Sequence, residues 1–339
     1  MFEQHRQEVI TLPFQIRRHQ SESVIQRSAE RWATHHGLLA GASALARFRR
    51  HQITGLMTAG CDRAGIEDAA LVVEFATLAF FLDDQQNNAA RTRRASAYDD
   101  LNTRLRAVIS GSDVDAEDSP LVRALSDILE HLEPRARPDW HTRFRHDLAL
   151  VLNGHEEENA FRRNASIPDI GSFSMMRREA SFCYPIFDML ELCRGAPVSS
   201  AVHNSSPYQV IREAIADIMC WTNDVHSLHM ELAADEPINF VTVLQHAGTL
   251  TTAQAVQEVC ERIDNRVKDF IAARHELSGL LTKFSTPNRV QNLVLDCVSG
   301  FESWAGRMEE WDRTGTNRFD PSTISASGLP SYVEDLLPR

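Results

Sequence analysis

Apolar residues in this chain recur every three or four positions and almost never alternate, a pattern that predicts helices and no sheet. The densest stretch covers Ile66–Gln86. Ala69, Leu71, Val72, Val73, Phe75, Ala76, Leu78, Ala79, Phe80, Phe81 and Leu82 make it apolar nearly all round. Such a helix has no face to offer water and belongs at the centre of the molecule. It should end in Asp83-Asp84-Gln85-Gln86-Asn87-Asn88. A second long helix should start with Ser206 as cap and Pro207 at the first helical position, and stop at Glu236-Pro237. Val210, Ile211, Ala214, Ile215, Ile218 and Met219 form its apolar stripe, and Trp221 follows.

Further helices are expected over Ser21–Leu39, from near Gly41 through Arg50, and over Ala97–Ile109, Leu121–Leu132 and Trp140–Asn164. Gly171–Leu192, Ile238–Gln245, Thr252–Leu277 and Pro287–Thr314 complete the set. Ser110–Ser119 and Arg194–Pro207 read as loops. Residues 1–18 read as an N-terminal arm with an apolar foothold at Leu12-Pro13-Phe14, and 320–339 as a loosely structured tail. With no internal repeat and no linker, residues 1–339 should form one all-α bundle of about ten helices.

Within the second long helix, Asn223, Ser227 and Glu231 recur every fourth residue, which stacks them on one face. An amide oxygen, a hydroxyl and a carboxylate are hard donors of the kind Mg²⁺ accepts while keeping some of its waters. The same spacing also describes an ordinary wet face. What favours ligands is the place of the triad, at the far end of a helix that is otherwise core.

Composition narrows the partners. At 339 residues and 43% hydrophobic, the chain can bury a sizeable core. A net charge of −12 argues against sequence-independent nucleic-acid binding, and an anionic substrate would need metal ions or a local arginine cluster. Six scattered cysteines without a CxxC pair read as reduced core thiols of a cytoplasmic protein. Neither a secretion signal nor a membrane-spanning run is evident.

Asp83 and Asp84 place two carboxylates at the end of the most apolar helix, where they are costly unless something positive meets them. Together with the triad, two helices each offer an oxygen stripe. The combination resembles a bacterial-type class I terpene synthase (terpene cyclase). There an aspartate-rich DDxx(D/E) or DDxxx(D/E) motif faces an (N/D)DxxSxxxE motif across a helical bundle with a central active-site cavity. Asn223-Asp224-x-x-Ser227-x-x-x-Glu231 matches the second motif in full, and Asp83-Asp84 matches the first in part. The likeness covers roughly residues 10–320.

The resemblance implies three Mg²⁺ ions held by Asp83, Asp84, Asn223, Ser227 and Glu231 against the diphosphate of a linear prenyl substrate. It implies Arg177 as diphosphate sensor, Ser181 as effector at a helix break, and Arg318, with Asn223, as diphosphate contacts. Phe75, Phe80, Phe81, Phe182, Trp221 and Trp304 are the candidate liners of a dry, cation-stabilising pocket, each of them also a candidate for plain core packing. The reaction so implied is cyclisation of a prenyl diphosphate, with farnesyl diphosphate favoured and geranylgeranyl diphosphate the alternative. A homodimer is compatible with it. Three departures thin the diphosphate end: Asn87/Asn88 where a carboxylate is usual, Met230 where many relatives carry lysine, and Phe319 where tyrosine is usual. They leave room for a rival of another class, a non-catalytic lipid- or partner-binding protein descended from a cyclase. A prenyl-elongating enzyme is disfavoured because it would carry a second DDxxD, and a di-iron bundle because no Glu-x-x-His pair occurs.

Overall fold

The computed structural model describes residues 10–195, 198–233, 236–316, 318 and 335–337. Among the described residues all regular structure is helical. In chain order the helices are α1 (Glu22–His35), α2 (Gly41–His51), α3 (Ile53–Met57), α4 (Ile66–Arg91), α5 (Ala95–Ile109), α6 (Pro120–Leu132) and α7 (Pro138–Arg163). Then follow α8 (Ile170–Ala180), α9 (Cys183–Cys193), α10 (Ser200–His203), α11 (Ser206–Ala233), α12 (Phe240–Gly248), α13 (Thr252–Lys283) and α14 (Asn288–Glu310). A π-helical turn, Trp311–Gly315, closes the last of them.

The central position expected for α4 is borne out: it packs against α1, α3, α5, α6, α7 and α9, and Val73, Phe75 and Ala76 are fully buried. On the far side α11 packs against α13, α14, α8 and α12. Local signals set the ends of several helices. The Ser119 hydroxyl accepts from Val122 N–H, with Pro120 in the first turn of α6. Thr251 and Gln254 form a reciprocal capping box at the start of α13. From the arm, Phe14 is buried edge-on against Phe270 at 5.3 Å.

Four expectations need correction. The aspartate-bearing helix does not end near Gln86 but runs on to Arg91, so Asp83 and Asp84 lie inside it. Gln85 and Gln86 are both fully buried and bonded, to Leu336 N and to Glu158 respectively, which is why the helix can continue. The single helix over Gly171–Leu192 is two, α8 and α9, broken at Ser181-Phe182. The loop Arg194–Pro207 contains the short α10, and a five-residue helix, α3, follows the left-handed Gln52. Fourteen α-helices among the described residues therefore stand against the roughly ten expected.

Candidate active site

On α11 the triad occupies one face near the C-terminal end. Ser227 is buried, and Asn223 and Glu231 are half-buried. The Ser227 hydroxyl donates to the Asn223 carbonyl at 2.8 Å, and Glu231 Oε2 accepts from Asn239 Nδ2 at 2.7 Å. Burial and then the like charge of Asp224 push the Glu231 carboxyl up to about 7. Asp224, fully buried, accepts from Arg177 at 2.7 and 3.1 Å and from Phe240 N–H at 3.1 Å. Arg177 also donates to Asn223 Oδ1 at 3.2 Å. The amide of Asn223 in turn donates to Asp312 Oδ1 at 3.2 Å, in the π-turn.

On α4, Asp84 is buried against Arg318, with nitrogen–oxygen distances of 2.5 and 3.1 Å. The Arg318 guanidinium lies 5.2 Å over the Phe80 ring. Arg47, His51, Phe80, Phe81, Asp84 and Arg318 line a cleft here. Burial and then the Arg318 charge hold the His51 imidazole down at about 3, so it is neutral. Asp83 is half-buried and accepts from Asn87 Nδ2 at 3.3 Å. Phe319 lies outside the described residues, and Met230 is buried.

The helix break lies between α8 and α9, at Ser181-Phe182. Ser181 still has helical angles, and its hydroxyl donates to Arg178 O at 2.8 Å. Phe182 then turns left-handed, at φ 61°, which strains a residue with a Cβ. A close approach from α7 occupies the space beside the break: a Cβ on Gly154 would lie 2.6 Å from Ala180 N. The turn points Phe182 at His155 and Phe75, with ring centroids 5.6 and 6.3 Å away.

The six aromatic candidates do not form one cluster. Phe75 and Phe182 sit at the break, whereas Phe80 and Phe81 line the cleft beside Arg318. Trp221 packs on Phe240 at 4.8 Å and Trp304 on Phe187 at 5.7 Å. Both indole N–H groups are buried without an acceptor among the described residues.

Sequence reasoning left Asp224, Asp312, Asn239, Glu158 and Arg162 without a role. The Asp224 signal was present, since it stands inside the NDxxS string. Asn239 could have been read as the cap of α12, two residues after Pro237. The others come from distant elements and carry no local signature.

One further acidic group has metal-like spacing: ligand atoms of Asp188, Glu191 and His203 lie within 4.8 Å of one another. Its cation requirement is already met. Arg143 reaches Asp188 at 3.0 Å and Glu191 at 2.5 Å, and Arg212 reaches Asp188 at 3.2 Å and Asp147 at 2.5 Å. Two guanidiniums thus serve three carboxylates in an ion-paired strut of the core.

The α11 face, by contrast, fits a hard divalent cation. It offers an amide, a hydroxyl and a carboxylate, and burial leaves that carboxylate short of positive charge. An all-α bundle with such a face beside the half-buried Arg177 guanidinium has the class I terpenoid synthase fold. A solved linalool/nerolidol synthase from Streptomyces clavuligerus, in complex with 2-fluorogeranyl diphosphate, superposes with a TM-score of 0.79 at 22% identity. The superposition covers 87% of this chain and all of that one. The family model "Terpene synthase family 2, C-terminal metal binding" matches residues 74–269. A (−)-delta-cadinene synthase from Streptomyces clavuligerus is 30% identical over 82% of this chain and 84% of its own length. A (+)-T-muurolol synthase from Roseiflexus castenholzii, described as "(2E,6E)-farnesyl diphosphate cyclizing", is 25% identical over 88% and 89%. The chain belongs to the terpene synthase family and is a terpene cyclase.

Proposed function

We propose that the protein is a Mg²⁺-dependent sesquiterpene synthase that ionises and cyclises farnesyl diphosphate and releases diphosphate. The observation that carries this is the intact α11 face, with Asn223, Ser227 and Glu231 beside Arg177. The farnesyl choice rests on the similarity to the T-muurolol enzyme. Asn223, Ser227 and Glu231, with Asp83 and Asp84 opposite, would hold the ions. When bound, Mg²⁺ supplies Lewis-acid charge to the leaving diphosphate.

The chain's own residues do the rest. Arg177 and Arg318, each paired with a carboxylate, stand ready to donate to diphosphate oxygens as the allylic C–O bond breaks heterolytically. Phe182 at the break and Phe75 behind it present π-faces to the allylic cation and exclude water. A cation formed there ends by losing a proton or taking up water. The chain acts as a cytoplasmic enzyme in this reading, and among the described residues no helix is long and apolar enough to cross a membrane.

The test is incubation with Mg²⁺ and the C10, C15 and C20 prenyl diphosphates, followed by gas chromatography–mass spectrometry. Cyclic C15 products from farnesyl diphosphate are expected. Products only from the C20 substrate would move the assignment to a diterpene synthase, and no diphosphate release from any substrate would refute catalysis.

A further inference from the structure

The two oxygen stripes are not separate in the folded chain. Asn87, which stands where the family's aspartate motif carries its last carboxylate, uses both ends of its amide. Its Nδ2 donates to Asp83 Oδ2 at 3.3 Å, and its Oδ1 accepts from Arg162 Nη2 at 3.0 Å. Only this amide orientation matches a carboxylate on one side and a guanidinium on the other. A carboxylate at 87 could serve Arg162 but could not donate to Asp83.

Arg162, on α7, is half-buried and spends its donors in three directions. Nε donates to both carboxylate oxygens of Glu236, at 3.0 and 3.1 Å. Nη1 donates to Asn159 Oδ1 at 3.2 Å and lies 3.5 Å from Glu158. Nη2 takes Asn87. Glu236 belongs to the segment that follows α11. Its N–H donates to the Glu231 carbonyl at 3.0 Å, and its Oε1 accepts from Ile238 N–H at 3.1 Å. In the next residue, Asn239 Nδ2 donates both to Glu231 Oε2 and to the Asp224 carbonyl, each at 2.7 Å. A hydrogen-bonded chain thus runs from Asp83 through Asn87, Arg162 and Glu236 to the backbone of Glu231, whose carboxylate Asn239 holds from the same segment.

We propose that Arg162 and Asn87 are positioning residues that hold the α4 and α11 oxygen stripes in register, and that Asn87 is a relay in place of a metal ligand. The proposal rests on the metal–diphosphate reading of the site. Its physical content is preorganisation. The guanidinium sits among Asp83, Glu158 and Glu236, so it relieves the repulsion that would spread the two acidic stripes apart. The amide fixes the rotamer of Asp83 from one turn further along the same helix.

Asn87→Asp separates the relay from a vestigial ligand, because the two readings predict opposite signs. Isothermal titration of the protein with Mg²⁺ and inorganic diphosphate gives the affinity directly, and steady-state assays give KM against kcat. The relay predicts that Asn87→Asp weakens Mg²⁺–diphosphate binding at least threefold, because two carboxylates then face each other one turn apart. It predicts that Asn87→Ala weakens binding about tenfold and raises the Mg²⁺ half-saturation, with kcat at saturating Mg²⁺ within threefold of the parent. Arg162→Lys should recover part of what Arg162→Gln loses in affinity. Tighter binding by Asn87→Asp, or parent-like affinity in Asn87→Ala, overturns the relay while leaving the metal assignment standing. Failure of the parent chain itself to bind Mg²⁺ and diphosphate overturns both.

Discussion

The two oxygen stripes are built by different means. On α11 the acidic groups are held by neutral donors as well as by charge: Asn239 reaches Glu231, and the Phe240 N–H reaches Asp224 beside Arg177. On α4, Asp84 is ion-paired with the Arg318 guanidinium, and Asp83 accepts from the Asn87 amide. Fixed neutral donors keep a carboxylate oriented whether or not a cation is close. A guanidinium pair must exchange partners before either member can serve a ligand. In the proposed reaction Glu231 is therefore expected to keep its contacts, and Asp84 to exchange its own, on binding.

The largest effect should separate these halves in turnover. Glu231→Gln keeps the shape and the Asn239 contact but removes the only carboxylate of the α11 triad. A loss of at least about 10³-fold in kcat/KM is expected, with far-UV circular dichroism unchanged. Asp84→Asn should lose less, about 10–100-fold. Equal losses in the two variants would erase the asymmetry, and a larger loss at Asp84 would reverse it.

A second contrast is read in stability. Arg177→Ala leaves Asp224 fully buried without its guanidinium, a loss expected at about 3–5 kcal/mol. Arg318→Ala strands Asp84, which unlike Asp224 keeps a small exposure where it lines the cleft, and should cost less, about 1–3 kcal/mol. Urea denaturation of both variants checks the order. If Arg318→Ala is the more damaging, the Asp84 side is as much a part of the core as the Asp224 side.

How far the molecule could be read from its residues follows the same division between local and distant. The α11 triad was legible because four-residue spacing is a local property, and so was the burial of α4, whose apolar residues leave no wet face. The end of α4 was misread because Gln85, Gln86 and Asn87 look like a solvated terminus. Their partners, Leu336, Glu158 and Arg162, lie up to 251 residues away and cannot be inferred from spacing. The break between α8 and α9 was half legible. Pro185 falls in the first turn of α9, where proline is tolerated, and that alone argues against one continuous helix over Gly171–Leu192. The place of the break, at Ser181-Phe182, was implied only by the family resemblance at Ser181; it accompanies the approach of Gly154 from α7, a tertiary contact that residue spacing does not show.

The smallest effect tests whether lack of a cationic partner, and not burial alone, sets the cost of a carboxyl on α4. Glu74 lies on the same helix as Asp84, two to three turns earlier; Ser28 Oγ donates to it at 3.5 Å, and among the described residues no guanidinium is ion-paired with it. Burial, and then the like charge of Asp127, raise its carboxyl to about 7. The folded protein therefore holds this proton more tightly than the unfolded chain does. The stability so gained is present in full below about pH 4.5, the unfolded value, and is lost as pH rises through about 7. Glu74→Gln mimics the protonated form at every pH and keeps an acceptor for Ser28. It should match the parent near pH 4.5 and exceed it by about 1–2 kcal/mol at pH 8, allowing for partial solvent access. Urea midpoints at the two pH values measure the difference. A gain of the same size at both would mean that shape and packing, and not the missing cation, distinguish Glu74 from Asp84.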